Sequence, residues 1–460
     1  MQVGTASALR AVLSHLPPVQ HAFAYGSGVL HQPGLYMPER SKPAIQLDGN
    51  CEQTNPQPTS PSSSTPMIDY ILSVDDPLKW HMLNIQKNPE HYSWVAKLGP
   101  GAITGIADHV GVGIHFNTLV RMQGGQMIKY GVTRTSLLLD DLHTWRHLYV
   151  AGRLQKPVLT LASCVKEVEA AQAANQRAAA AAALLLLPPI FTTKDFLTKI
   201  VTLSYSGDVR MGIAEDPRKV ERIVQGSRPA LDDMYLPLIS EPHGPFQPGI
   251  RGAELGGGDR HSIPGAPSDI DRHSSGEQNI IGDGGLGISM HSIPVQNTAN
   301  SQDLKIISGV HVEREGVQGQ DSSPPERRDL ANAQWAQRAD AHTQGELLKC
   351  LPPALLTRVA YKLGFQVPES HLQQNQSGVL IHDTLDDITN AAVRSGQVQQ
   401  LVAQALAETV RASSASQALS GLLAAGGGKA VQYFGSKVAK AVRGAFQGAW
   451  ASGLTIKRPP

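Results

Sequence analysis

Apolar positions along the chain follow two rhythms, and the changes between them mark the elements. Leu9, Val12, Leu13 and Leu16 recur at three- and four-residue spacing and stop at Pro17-Pro18, which predicts a helix opening the first domain. The apolar run "AFAY" then enters Tyr25-Gly26-Ser27-Gly28. "MIDYILSV" reads as a strand, and "GVGIHFNTLVRM-QGGQ-MIKYGVTR" as a β-hairpin around a Gly-Gly loop. Helical patterning resumes in "TSLLLDDLHTWRHLYVAGRL" and dominates residues 159–240. The run "AAAAAALLLL" falls short of the roughly 20 apolar residues a bilayer span requires, so it predicts a buried helix.

Two stretches break these rhythms. Residues 36–66 and 241–346 are rich in Pro, Gly, Ser and polar side chains and read as disordered insertions. The expected organisation is therefore an α/β domain over 1–158, a helical domain over 159–240, a helical C-terminal region over 347–425 and a basic tail over 426–460. A chain of 460 residues with 41% apolar composition can bury a substantial core in each domain. The net charge of +1 gives no global sign of a nucleic-acid partner. Cys51, Cys164 and Cys350 lack metal-ligand spacing and pair into no disulfide framework, which points to a reducing compartment. The N-terminal segment holds one Arg and no acid, as transit peptides do. Its helical spacing runs straight into the first strand, however, so any targeting sequence is expected to be cryptic or absent.

The candidate chemistry starts at Tyr25, Gly26, Ser27 and Gly28. Glycine lets the backbone approach a phosphate closely, and amide N–H groups with a serine hydroxyl can donate to its oxygens. Taken alone, the same four residues also make an ordinary turn. Asp69 opens the next strand as a candidate metal ligand. A second acid two residues on would complete a pair, but that position is Ile71. Asp75 is a further candidate, although six residues of strand would set it about 20 Å from Asp69. Asn117 on the hairpin is another possible substitute. Lys129 either counters phosphate charge or is an exposed hairpin lysine. This succession of strand, Gly-Ser turn, insertion and acid-bearing strand resembles the nucleotidyltransferase fold, which implies triphosphate binding at the turn and magnesium held by carboxylates.

The longer text is more specific. "FAYGSGV", "DDPLKWHMLNIQKNPEHYSW", "MIKYGV", "LYVAGRLQKPV" and "LSYSGDVRM" together resemble the mitochondrial phosphatidate cytidylyltransferases, also called CDP-diacylglycerol synthases or translocator assembly and maintenance proteins. The resemblance covers residues 9–35 and 67–240, and more weakly 350–447. It implies a nucleotidyltransferase domain with a mixed sheet, then a helical winged-helix-like domain and a C-terminal amphipathic helix. The implied reaction joins CTP and phosphatidic acid into CDP-diacylglycerol and pyrophosphate with Mg2+. The implied enzyme is peripheral, on the matrix side of the mitochondrial inner membrane. Asp69, Ser27 and Lys129 become the catalytic candidates, with Tyr25, Gly26, Ser27 and Gly28 at the nucleotide.

Other residues keep two readings. Arg153 and Lys156, like Asp208 and Arg210, fit either a grip on lipid phosphate or a tie between domains. Trp80, His81 and Asn84 lie on adjacent helix faces, His81 as either a catalytic or a packed residue, while Asp76 before Pro77 reads as a helix N-cap. After Glu408 the chain has no acid. From about 429 to 450, Val431, Phe434, Val438, Val442 and Phe446 share one helical face and Lys429, Lys437, Lys440 and Arg443 the other. That pattern suits a helix lying on an anionic membrane surface, with a docking helix packed on the protein as the alternative. Two rivals remain: a nucleotidyltransferase acting on another acceptor, and a non-enzymatic assembly factor for inner-membrane import.

Overall fold

The structure, a computed structural model, describes residues 3–30, 67–122, 124–163, 165–211, 216–240, 250–252, 330, 332–366 and 382–451. Helix α1 (Val3–Ala11) leads through a 3-10 turn to β1 (His21–Tyr25). Strands β2 (Ile68–Val74), β3 (Ile114–Arg121), β4 (Met127–Arg134) and β5 (Leu159–Ser163) complete a five-stranded sheet of order β3-β4-β2-β1-β5. The β2–β4 pair is parallel and the other pairs are antiparallel, so the sheet is mixed. The expected hairpin is present as β3–β4. A bulge between Asn117 and Val120 interrupts it, and there Leu119 takes a positive φ.

Alternation divides the sheet into two faces. Tyr25, Asp69 and Lys129 are in register, as are Ala24, Tyr70 and Tyr130 one residue away. Phe23, Tyr25, Ile71 and Ile114 face a large core shared with the helices, whereas Ala24, Tyr70, Leu72 and Tyr130 face a smaller core closed by α1 and by α2 (Pro77–Lys87). The expected cap of α2 is present: Asp76 accepts from the Lys79 N–H at 3.1 Å, with Pro77 in the first turn.

Helix α3 (Pro100–Gly105) precedes the hairpin, and α4 (Thr135–Thr144) and α5 (Val150–Leu154) follow it. The sheet extends past residue 158, because 159–163 pair with β1 instead of starting a helix. Helix α6 (Lys166–Leu185) follows, and its run from Ala178 to Leu185 is buried, as its composition predicts. Small side chains there let α4, α7 (Thr193–Leu203) and α10 (Ala341–Lys349) approach closely. α8 (Lys219–Gly226) and α9 (Arg228–Ser240) complete the helical portion.

A second sheet, ordered β6-β8-β7, joins β6 (Ile190–Thr192), β7 (Ile250–Gly252) and β8 (Gln334–Gln337) in antiparallel pairs. Two of its strands, and the start of α10, lie inside the range whose composition predicts a disordered insertion. Trp335 explains the discrepancy: it is buried and its Nε1 donates to Thr193 Oγ1 at 2.9 Å, so a few residues are enough to add a strand. The rest of that insertion, and 36–66, lie outside the described residues.

The C-terminal region is helical: α11 (Pro353–Lys362), α12 (His382–Arg394) and α13 (Val398–Ala451). α13 runs as one helix across residue 425 and through the basic segment expected to be helical from about 429 to 450. Its buried positions include Leu401, Val402, Ala405, Leu406, Val410, Ser413, Ser414, Gln417, Ser420 and Ala424. No described helix is long and apolar enough to cross a membrane. Phe434, Lys437, Lys440 and Arg443 lie on the α13 backbone, but their side chains fall outside the described residues.

Candidate active site

The turn after β1 depends on both its glycines. Gly26 has φ +84°, a left-handed conformation that costs other residues energy, and a Cβ there would sit 3.2 Å from Asp69 Oδ2. A Cβ on Gly28 would approach the Met67 carbonyl oxygen to 2.7 Å. Val29 and Leu30 both donate N–H bonds to the Gly26 carbonyl, which fixes the bend. Residues 26–30 form a turn, and those from 31 to 66 lie outside the described residues.

Asp69 therefore lies directly under the turn. Its Oδ1 is buried and accepts no hydrogen bond from the protein. Lys129, in register with it on β4, places Nζ 4.2 Å from the centre of the Phe116 ring. Phe116 contacts Tyr149 edge-on. On the other side of Asp69, the Arg153 guanidinium stacks 4.3 Å from the Tyr25 ring centre. Burial pushes the Tyr25 phenol up, with Lys129, Asp69 and Arg153 all close enough to act on it. Burial disfavours the Arg153 charge, but Tyr205, Tyr25, Tyr149 and Asp69 outweigh it and hold the guanidinium charged.

Arg153 also lines a small cleft, open to solvent, with Lys156, Tyr205, Asp208, Arg210 and Ser414. The structure thus brings together all four residues that the sequence left between phosphate contact and domain tie. Lys156 is buried and donates to the Gly152 carbonyl and to Ser204 Oγ at 2.6 Å. Burial, then the like charges of Arg153 and Lys219, push its ammonium well below the usual lysine range. Arg210 forks onto Asp208, Nε to Oδ1 at 3.0 Å and Nη2 to Oδ2 at 2.6 Å, while Asp208 is 2% exposed at its side chain. Helix α13 closes the wall through Val410, Ser413 and Ser414. Ser414 Oγ accepts from the Val209 N–H at 3.2 Å, and Gly207 packs so tightly on α13 that a Cβ would lie 2.5 Å from the Ala407 carbonyl.

One residue that the sequence reading did not single out organises this cleft. The buried Asp141 carboxylate accepts five backbone N–H bonds, Oδ1 from His147 and Leu148 and Oδ2 from Tyr149, Val150 and Ala151. These bonds tie down a loop in which Trp145 and Leu148 adopt positive φ. They satisfy the donors at the start of α5, the helix that presents Arg153. Asn175 on α6 secures the same segment, accepting from Trp145 Nε1 at 2.8 Å and donating to the Ala151 carbonyl at 3.0 Å. An Asp in "LLLDDLHTW" carries no local signal of this role, because its partners come six to ten residues later.

Two other candidates lie elsewhere. Asp75 is exposed beyond the far end of straight strand β2, where Gln20 Nε2 donates to it at 2.6 Å, so the structure does not bring it to Asp69. Asn117, in register with Tyr130, sits on the opposite face of the sheet. It belongs there to a buried polar cluster with His81, Asn84, His91, Tyr92, His115 and Tyr130. His81 Nδ1 bonds the Tyr92 hydroxyl at 2.8 Å, and burial followed by the nearby His115 drives its pKa well down. His81 is a packed histidine on the face away from Asp69. Among the described residues no three His, Cys, Asp or Glu side chains group as a metal site.

The arrangement offers a Gly-Ser turn over a carboxylate, flanked by Lys129 and joined through Arg153 to a second cationic cleft. Backbone amides, a serine hydroxyl and cations of this kind suit phosphate-bearing groups. A family model described as mitochondrial phosphatidate cytidylyltransferase matches residues 9–247 and 304–440. The chain is similar to the mitochondrial phosphatidate cytidylyltransferase of Bos taurus, 40% identical over 238 residues that cover 51% of this chain and 62% of that protein. Similarity to the enzyme of that name from Schizosaccharomyces pombe is 37% over 268 residues, 58% of this chain and 59% of that one. For the Homo sapiens protein of the same name it is 39% over 236 residues, 50% and 46%. The matched portion thus spans about six tenths or less of these relatives' own lengths. With most of its length matched by the family model, the chain belongs to the mitochondrial phosphatidate cytidylyltransferase family.

Proposed function

We propose that this chain transfers CMP from CTP to phosphatidic acid, producing CDP-diacylglycerol, the precursor of phosphatidylglycerol and cardiolipin, and pyrophosphate. The observation that carries the reading is the double placement of Arg153, stacked on Tyr25 at the nucleotide turn and lining the cleft of Lys156 and Arg210. Two anionic substrates that must meet need such a shared cation. The family membership and the name its relatives carry support the choice of substrates.

In this reading the Gly26 and Ser27 backbone and the Ser27 hydroxyl donate to the β- and γ-phosphates of CTP. The acceptor phosphate rests against Arg153, Lys156 and Arg210. One of its oxygens attacks the α-phosphorus, the bond from that phosphorus to the bridging oxygen of the β-phosphate breaks, and pyrophosphate leaves with the electron pair. The nucleophile is already ionised near neutral pH, so no general base is required. Catalysis consists of alignment and charge neutralisation by Lys129 and Arg153. Mg2+, when bound, supplies further neutralisation at the phosphates. Asp69 fits as its protein ligand because its Oδ1 is buried and unpartnered, and magnesium commonly takes only one or two carboxylates plus substrate phosphates and water.

We read the first domain as a nucleotidyltransferase fold, supported by the β1–turn–β2 arrangement over Asp69. The helices α7–α9 with the three-stranded antiparallel sheet support a winged-helix-like second domain. The relatives' names support a mitochondrial location. The absence of a spanning helix among the described residues and the basic tail suit a peripheral enzyme on the anionic matrix face of the inner membrane. The test is to incubate the protein with labelled CTP, Mg2+ and phosphatidic acid and measure label in the lipid phase. Label should appear, and Ser27→Ala and Asp69→Asn should each lower its rate by about 100-fold or more. Full activity in both variants would refute the site.

A further inference from the structure

Helix α13 carries a stripe of core-facing positions that reaches Ala424. Its core-facing positions Ser413, Gln417, Ser420 and Ala424 are all buried. Gln417 bonds the backbone of Val112 and Ile114 on the β3 side, and Ser93 Oγ donates to the Ala424 carbonyl. The spacing of this stripe, four, three and four residues, continues on the same helical phase through Val431, Phe434, Val438 and Val442. The apolar line of the tail is therefore a prolongation of the line that packs on the core. Ala424 is the last position of this line whose burial is described.

At that place the core ends in an exposed rim. The 3-10 segment Trp94–Leu98 begins beside Ser93 and packs on α13, with Val95 fully buried as its anchor. Trp94 and Leu98 point outward, 47% and 62% exposed, with exposed Lys97 between them. Trp, Lys and Leu in one short turn are side chains suited to the boundary between acyl chains and headgroups.

Resting on the proposed action on a membrane lipid, we propose that the Trp94–Lys97–Leu98 rim is a second membrane anchor, built into the catalytic domain, that enters an anionic bilayer alongside the tail. The occupant follows from continuity: a bilayer that accepts the apolar stripe of the tail extends along the same side of α13 on which the rim stands. Two anchors on one body hold the cleft at a fixed height over the lipid surface, which a single tail cannot do.

Trp94 provides the probe. Trp80, Trp145 and Trp335 are buried, so in a Trp450→Phe chain Trp94 is the exposed tryptophan. The full chain with this change is mixed with phosphatidylcholine vesicles containing phosphatidic acid and a brominated lipid. Trp94 emission should shift to the blue and be quenched. Lys97→Glu with Leu98→Asp, tail intact, should weaken vesicle partitioning by roughly tenfold and slow turnover of vesicle-borne phosphatidic acid to match. Turnover of a water-soluble short-chain phosphatidic acid should stay unchanged. Vesicle binding without Trp94 quenching would overturn the proposal in favour of the tail alone. So would shielding of Trp94 from acrylamide before vesicles are added, which means another segment of the chain covers the rim, or a dimer in sedimentation that Leu98→Asp dissolves. If neither lipid form is turned over, the failure lies with the proposed function; loss confined to the rim leaves short-chain turnover intact.

Discussion

Lys156 separates the two readings of the cleft most cleanly, because a phosphate ligand and a structural tie respond oppositely to its removal. Substituting Met keeps the stem length and packing while deleting the ammonium. The fold then loses the bonds to Ser204 Oγ and to the Gly152 carbonyl, worth about 1.5–3 kcal/mol each for a charged donor. It recovers the cost of burying a cation, several kcal/mol in proteins, and the repulsion from Arg153 and Lys219. These terms nearly cancel, so Lys156→Met should change unfolding stability by no more than about 2 kcal/mol. Loss of a desolvated cation facing a phosphate costs roughly 3–4 kcal/mol, a factor of about 10²–10³ in turnover.

Urea unfolding followed by Trp fluorescence gives the first quantity, and label transfer from CTP into short-chain phosphatidic acid gives the second. The KM for phosphatidic acid should rise while that for CTP holds. A stability loss above about 4 kcal/mol, with activity falling only as the folded fraction falls, would make Lys156 a domain tie. Unchanged activity at unchanged stability would remove the cleft from the acceptor site.

Other expectations follow from single features. Asp141→Asn leaves one acceptor oxygen for five N–H donors and turns an NH2 toward at least two of them; unfolding stability should drop by about 2–6 kcal/mol, and a drop below about 1 kcal/mol would refute the loop-anchoring role. Gly28→Ala forces a Cβ against the Met67 carbonyl and should raise the KM for CTP by about tenfold, measured by titrating the nucleotide, with little effect on the KM for the lipid. His21 and His115 are each pushed down from 6.5 to about 4 by burial, His115 despite its bond to Asn117. The unfolded chain then binds more protons between these values, so stability should fall as pH drops from 6.5 toward 4, by roughly 3 kcal/mol for each histidine. Urea midpoints measured across that range check this, and a flat profile would refute it.

What the sequence discloses here is what local periodicity and turn chemistry can encode. The strand "MIDYILSV", the hairpin around Gly124-Gly125, the Asp76-Pro77 cap and the turn at Gly26 are each written in a few neighbouring residues, and all are found in the structure. β5 escaped because "LTLAS" is short and leans on β1, more than 130 residues earlier in sequence. β8 escaped because its stability resides in one buried tryptophan set in low-complexity text. The polar side chains of "KWHMLN" fitted either a packed or a catalytic role until alternation placed them across the sheet from Asp69. Asp141 is the extreme case, since five backbone donors that are neutral in any sequence scale make it important.

The same distribution of contacts explains why the site cannot be assigned to one domain. The Gly26-Ser27 turn and Asp69 belong to the sheet, but Arg153 reaches them from α5, held in place by Asp141 on α4 and Asn175 on α6. Beyond Arg153, the cleft takes its floor from the Ser204–Arg210 turn and its wall from α13. A chain ending at residue 158 would keep the turn yet lose β5, the partner of β1, and every contact that orients α5 from outside the sheet. Charge makes the dependence stronger still. Arg153, Lys156 and Arg210 converge in a partly desolvated space, Arg210 paired with Asp208 and Arg153 acted on by Asp69, so packing from three separate segments must hold them together against their repulsion. In the proposed reaction an anionic headgroup would relieve that repulsion on arrival. The binding energy of the proposed acceptor would then be stored in the assembly of the whole chain and absent from any one motif within it.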